Sequence, residues 1–109
     1  LGLPLDAVTV QNEPEFAAPW EACSYDKEHQ AEFVANHLGP ILEKNHPETK
    51  ILIFDHNKDH MLDWTDYILS SPAQKYVAGT AYHWYAGGGF NVTFSVLRCS
   101  PVSRNGSVA

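Results

Sequence analysis

Lys50-Ile51-Leu52-Ile53-Phe54-Asp55-His56-Asn57 is the stretch that decides how this chain folds. Four apolar residues in a row, three of them β-branched or aromatic, read as a strand buried on both faces. The run then stops at three hydrogen-bonding side chains, and the same sequence grammar recurs on either side of it. Upstream, Ala7-Val8-Thr9-Val10 is a short β-prone run that ends in Gln11-Asn12-Glu13-Pro14. Downstream, Gly79 is expected to close a helical segment, and Thr80-Ala81-Tyr82 to start a third strand ending in His83-Trp84-Tyr85.

Helical patterns fill the gaps between these runs. From about Asp26 to Lys44, Val34, Leu38, Ile41 and Leu42 fall at i, i+4, i+7 and i+8, the spacing of one helix face. Asp26 is the expected N-cap, and Gly39-Pro40 is expected to kink or interrupt the later turns. A second helical stretch covers Trp64 to Leu69, and Ser71-Pro72 reads as the N-cap and first residue of another short helix. Strand, helix, strand, helix, strand implies a parallel sheet, whose chemistry lies beyond the carboxyl ends of the strands. Three strands cannot close a barrel, which needs about 250 residues, and they bury only a marginal core alone. The expectation is a fragment of a larger α/β domain. Leu1 in place of a start methionine agrees with it.

Composition narrows the function. Among 109 residues, seven basic side chains stand against thirteen acidic ones, a net charge of −6, and the basic ones are scattered. Nucleic acid is therefore an unfavourable partner. No apolar run reaches the roughly 20 residues of a transmembrane span, and no signal-peptide pattern is visible. Cys23 and Cys99 lack metal-type spacing and read as unrelated thiols. Asn91 and Asn105 match the glycosylation acceptor pattern, a match short enough to arise by chance. A complete flavodoxin-like domain is disfavoured, because no Gly-rich phosphate loop follows any strand.

The polar strand ends carry the chemistry. Pro14 is expected to restrict Glu13 to extended backbone, holding a carboxyl at a strand end with Asn12 beside it. That arrangement suits general acid/base work on a polar substrate, although Asn-Glu-Pro alone would equally make a turn. Asp55, His56 and Asn57 end the second strand, and His83, Trp84 and Tyr85 the third. Hydrogen-bonding groups beside aromatic rings fit a sugar, whose hydroxyls need donors and acceptors and whose C–H face packs on a ring. His29, His37, His46 and His60 are read as surface or packing residues.

Val8 to Phe16, then Pro19-Trp20-Glu21-Ala22-Cys23, resembles the acid/base segment of glycoside hydrolase family 30, most closely its glucosylceramidase (acid β-glucosidase) branch. The resemblance continues through Glu28-His29-Gln30, Phe33 to Pro40 and Lys50 to Asn57, and ends with Lys75 to Tyr85. It implies a partial TIM (β/α)8 barrel, about strands 4 to 6 with their intervening helices. Glu13 would be the general acid/base, and Asn12 would hydrogen-bond the sugar 2-hydroxyl. Asp55 would contact sugar hydroxyls, and His83, Trp84 and Tyr85 would line the glucose subsite and position the nucleophile. Trp20 would flank the cleft where the leaving group exits. The substrate would be a carbohydrate or glycolipid, the compartment lysosomal or extracellular, and no metal or organic cofactor is implied.

The sequence departs from that family where its second carboxylate belongs. A retaining glycosidase needs a nucleophile about 5–5.5 Å from the acid/base. In the family this is a Glu at the end of strand 7, beyond the His-Trp-Tyr segment. Here no Asp or Glu follows Asp66. The first 86 residues carry −8 and the remaining 23 carry +2, so residues 1–86 are expected to be a partial glycosidase barrel domain and 87–109 a divergent tail, misjoined or disordered. Strands 1 to 3, 7 and 8 would lie elsewhere. Two readings remain open. One is a fragment of a retaining β-glucosidase acting on glucosylceramide or a related β-glucoside, inactive as it stands. The other is a non-catalytic truncated product that at most binds carbohydrate weakly.

Overall fold

The computed structural model describes residues 2–84. Tyr85 and the tail expected from residue 87 lie outside the described residues. Three parallel strands, β1 (Ala7–Thr9), β2 (Lys50–Asn57) and β3 (Val77–His83), form one sheet in the order β1-β2-β3. Val8 pairs with Ile51, and Ile53 with Thr80. The connection from β1 to β2 carries α1 (Lys27–Phe33) and α2 (Gly39–Asn45), and that from β2 to β3 carries α3 (Met61–Leu69). A 3-10 segment, Pro72–Tyr76, leads into β3 behind a Ser71 cap.

The predicted strand–helix alternation is present, with three local differences. The helix begins where expected, with Asp26 accepting from the His29 N–H at 2.7 Å, and it is interrupted as expected near Gly39-Pro40, but the break starts one turn earlier and takes an unexpected form. Residues Val34–Leu38 form a π turn, in which the Gly39 N–H donates to the Val34 carbonyl five residues back. Pro40 has no N–H with which to continue an ordinary ladder, and the wider turn rotates the faces of α2 by roughly 100°. Ile41 consequently leaves the predicted face and is 56% exposed, while Leu38 and Leu42 stay packed on the core. Gly39, buried at the junction, lies against the Tyr76 ring, where a Cβ would collide. The second difference concerns Gly79, which does not close a helix but sits inside β3, opposite Leu52. A Cβ there would come within 3.3 Å of Leu52 Cδ2, a tight contact with the facing side chain.

The third difference is in β2 itself. Ile51, Ile53 and Phe54 are buried but Leu52 is only half-buried, so the strand is covered fully on its helix side alone. Burial of the consecutive pair Ile53 and Phe54 breaks the period-2 rule. The cause is a bulge: register slips between Phe54 and His56, and both Phe54 (φ 75°) and Asp55 (φ 61°) are left-handed. The bulge brings the Phe54 ring to 5.5 Å from that of Trp64 on α3. Around them Ala31, Val34, Ile68, Ala73 and Val77 complete the core. Each large side chain in it contributes about 1.5–3 kcal/mol through loss of water contact.

Candidate active site

The bulge that breaks the core pattern also builds the site. Asp55 stands at the end of β2, where its Oδ2 accepts from Thr9 Oγ1 of β1 at 2.7 Å. Its Oδ1 lies 3.2 Å from His83 Nε2 at the end of β3. The other ring nitrogen, His83 Nδ1, is 3.3 Å from Glu13 Oε1. One imidazole thus bridges two carboxylates at the carboxyl ends of three adjacent strands. The three side chains are 19–27% exposed, sheltered yet open to solvent.

Glu13 does not adopt the extended backbone expected before proline. Its φ is 51°. Two hydrogen bonds impose the left-handed turn: the Glu13 N–H donates to the Asp55 carbonyl at 2.9 Å, and the Phe16 N–H donates to the Glu13 carbonyl at 3.0 Å. Glu13, Phe54 and Asp55 are the only described non-glycine residues with positive φ, and all three meet here. Each such residue costs on the order of 1–3 kcal/mol and persists only where its surroundings over-determine it. Pro14, fully buried, and its carbonyl, which accepts from the Tyr25 N–H at 2.9 Å, pin the far side of the turn.

Of the residues singled out from sequence, the fold gathers Glu13, Asp55 and His83 into direct contact. Asn12 stands exposed on the same turn. Trp20 is 63% exposed and packs edge-on against Phe16 at 6.1 Å, and Trp84 is 78% exposed just past β3. Tyr85 lies outside the described residues. Among those described, no group of three or more His, Cys, Asp or Glu could hold a metal ion, and no helix is long and apolar enough to cross a membrane.

Two participants were missed. Thr9, the one polar residue of an apolar strand, gave a signal in hindsight, since a hydroxyl there invites a partner across the sheet. Glu15 gave none. Two residues beyond Glu13, it turns the opposite way, accepting from Trp64 Nε1 at 3.2 Å and lying 3.0 Å from His60 Nδ1 and 3.7 Å from His56 Nε2. Its hydrogen bond to His60, reinforced by its charge, raises that imidazole above the usual histidine value. A cavity of about 550 Å³ opens on this side of the turn, lined by Pro14, Glu15, Tyr25, Lys27, Asp63 and Trp64 among others, and includes none of the three bridged residues.

The chain is similar to several known proteins. The chain is 37% identical over 89 residues to the lysosomal acid glucosylceramidase of Mus musculus, covering 77% of this chain and 17% of the relative. It is 35% identical over 98 residues to the endo-1,6-β-D-glucanase neg1 of Aspergillus fumigatus, covering 89% and 19%. Among solved structures, SrfJ from Salmonella typhimurium superposes with a TM-score of 0.71 at 35% identity, over 77% of this chain and 19% of that one. An endo-β-1,6-glucanase superposes at 0.69 and 36%, over 80% and 20%. The chain therefore spans less than a fifth of the length of these two curated relatives. The model of the glycosyl hydrolase family 30 TIM-barrel domain matches residues 2–96, and with the parallel sheet and the structural neighbours in agreement, the chain belongs to glycoside hydrolase family 30 and folds as part of its barrel.

Proposed function

We propose that this chain carries the acid/base half of a retaining β-glucosidase site, corresponding to about strands 4 to 6 of the barrel. In this reading Glu13 donates its proton to the glycosidic oxygen and later takes one from the incoming water. The single observation that supports it best is the bridge itself. It holds the Glu13 carboxyl 3.3 Å from Nδ1 of a ring whose Nε2 lies 3.2 Å from Asp55, so that the side chain is oriented at the strand ends where a sugar would sit. Asp55, held by both Thr9 and His83, fixes the ring and accepts hydrogen bonds from sugar hydroxyls rather than attacking carbon. Asn12 contacts the 2-hydroxyl, while Trp20, Trp84 and Tyr85 supply aromatic walls. Glucosylceramide is the leading substrate. The endo-1,6-β-glucanase relatives make other β-glucosides the nearest runner-up. The compartment is lysosomal or extracellular.

With no Asp or Glu after Asp66, the chain alone lacks the nucleophile of a double displacement. That same observation favours the second reading, a truncated product that at most binds sugar weakly. The test is hydrolysis of 4-methylumbelliferyl β-glucoside by the purified chain beside Glu13→Gln. Equal, background rates are expected. Turnover that Glu13→Gln abolishes would show that a nucleophile arises from within the chain or from a second copy, and the half-site reading would be wrong.

A further inference from the structure

Gln30 is fully buried on α1, a long polar side chain in a core whose only other buried polar residue among those described is Thr65. Its Oε1 accepts from the Phe54 N–H at 2.9 Å. Its Nε2 meets no acceptor among the described residues. Packing gives no reason for an amide here, because a methionine of similar length would fill the space without burying a polar group. The reason lies in what the oxygen holds. Phe54 begins the left-handed pair at the β2 bulge, where the register with β3 slips past Asp55. A bulge disrupts the ladder locally, and its buried donors need acceptors from elsewhere. The bulge in turn carries both halves of the bridge: the Asp55 carboxylate meets Thr9 and His83, and the Asp55 carbonyl receives the Glu13 N–H.

We propose that Gln30 is a positioning residue: its side-chain carbonyl locks the Phe54–Asp55 bulge, and the bulge sets both the Asp55 carboxylate against His83 and the Glu13 turn against β2. Its catalytic consequence rests on the reading of Glu13 as acid/base, but its geometry does not. Gln30 touches no reacting group and acts wholly through the backbone of β2.

The test uses the isotope-labelled chain and two readouts that need no activity: the exchange rate of the Phe54 amide relative to that of Ile53, and the ring ¹⁵N shifts of His83. In Gln30→Met the Phe54-to-Ile53 ratio rises on the order of tenfold, as expected for one lost buried hydrogen bond, and the His83 shifts move. Gln30→Glu, whose buried carboxyl stays protonated and keeps an acceptor at the same reach, restores both. Ile68→Val, a packing change on α3, lowers stability without altering either. A Gln30→Met chain that loses stability while keeping the wild-type ratio and His83 shifts would overturn the proposal. Should Gln30→Met not fold, Gln30→Glu decides: wild-type readouts sustain the assignment and altered ones reject it. The hydrolysis comparison with Glu13→Gln uses neither readout, so the two proposals can fail separately.

Discussion

On the helix side of the sheet Val34, Ile53, Phe54 and Ile68 are fully buried, whereas at the strand ends Glu13, Asp55 and His83 keep about a fifth to a quarter of their side-chain surface in water. The first region satisfies most local preferences, with apolar residues inside, a capped helix start and a glycine where two elements touch; the left-handed Phe54 and the buried Gln30 amide, both at the bulge, are its exceptions. The second violates several. It holds non-glycine residues at positive φ, two carboxylates on one imidazole, and a proline preceded by a left-handed turn. The contrast marks where this fold gains stability and where it gives some up to hold polar side chains together at the strand ends.

If that division is right, substitutions in the two regions should differ in size and even in sign. Ile53→Ala removes three buried carbons from the middle of β2, and a loss of about 2–5 kcal/mol is expected in urea unfolding, enough to unfold a sheet of three strands. Gly39→Ala should cost about 1–3 kcal/mol, because the methyl meets the Tyr76 ring, and alanine's better helix propensity of about 1 kcal/mol offsets this only in part. Glu13→Gly should go the other way, gaining up to about 1 kcal/mol as the left-handed strain is relieved, while removing the proposed acid/base group. A Glu13→Gly chain less stable than wild type would erase the contrast between the regions.

The smallest effect belongs to the Glu15–His60 pair. The folded state raises His60, so its contribution is fully present below the ordinary imidazole value and is lost as pH rises through the raised one. His60 is 59% exposed, so screening keeps the effect below about 1 kcal/mol. Unfolding curves at pH 5 and pH 8 should therefore differ slightly more for wild type than for Glu15→Gln. An equal difference in both chains would assign the pH dependence to other histidines.

Much of this was legible in the residues. The three strands, the Asp26 and Ser71 caps and the strand-end position of Glu13, Asp55 and His83 follow from short-range pattern, because periodicity and capping act within a few residues. Ile41 was misplaced because a π turn leaves no distinct mark on apolar spacing. The Glu13 backbone was misread because the forces that turn it come from the Asp55 carbonyl, 42 positions away. Glu15 was passed over for the same reason, its partners His56, His60 and Trp64 all belonging to the next unit of the fold.

The sequence by itself determined the element order, the parallel sheet and which polar residues end each strand, since burial demands a matching pattern of side chains. It also settled that no acidic residue follows Asp66. Only the tertiary structure decided that His83 lies between two carboxylates and that a buried glutamine reaches the bulge beneath them. Those contacts join residues from separate elements, and their geometry is set by strand register and a local bulge, which depend on how the whole sheet packs rather than on any neighbouring residue.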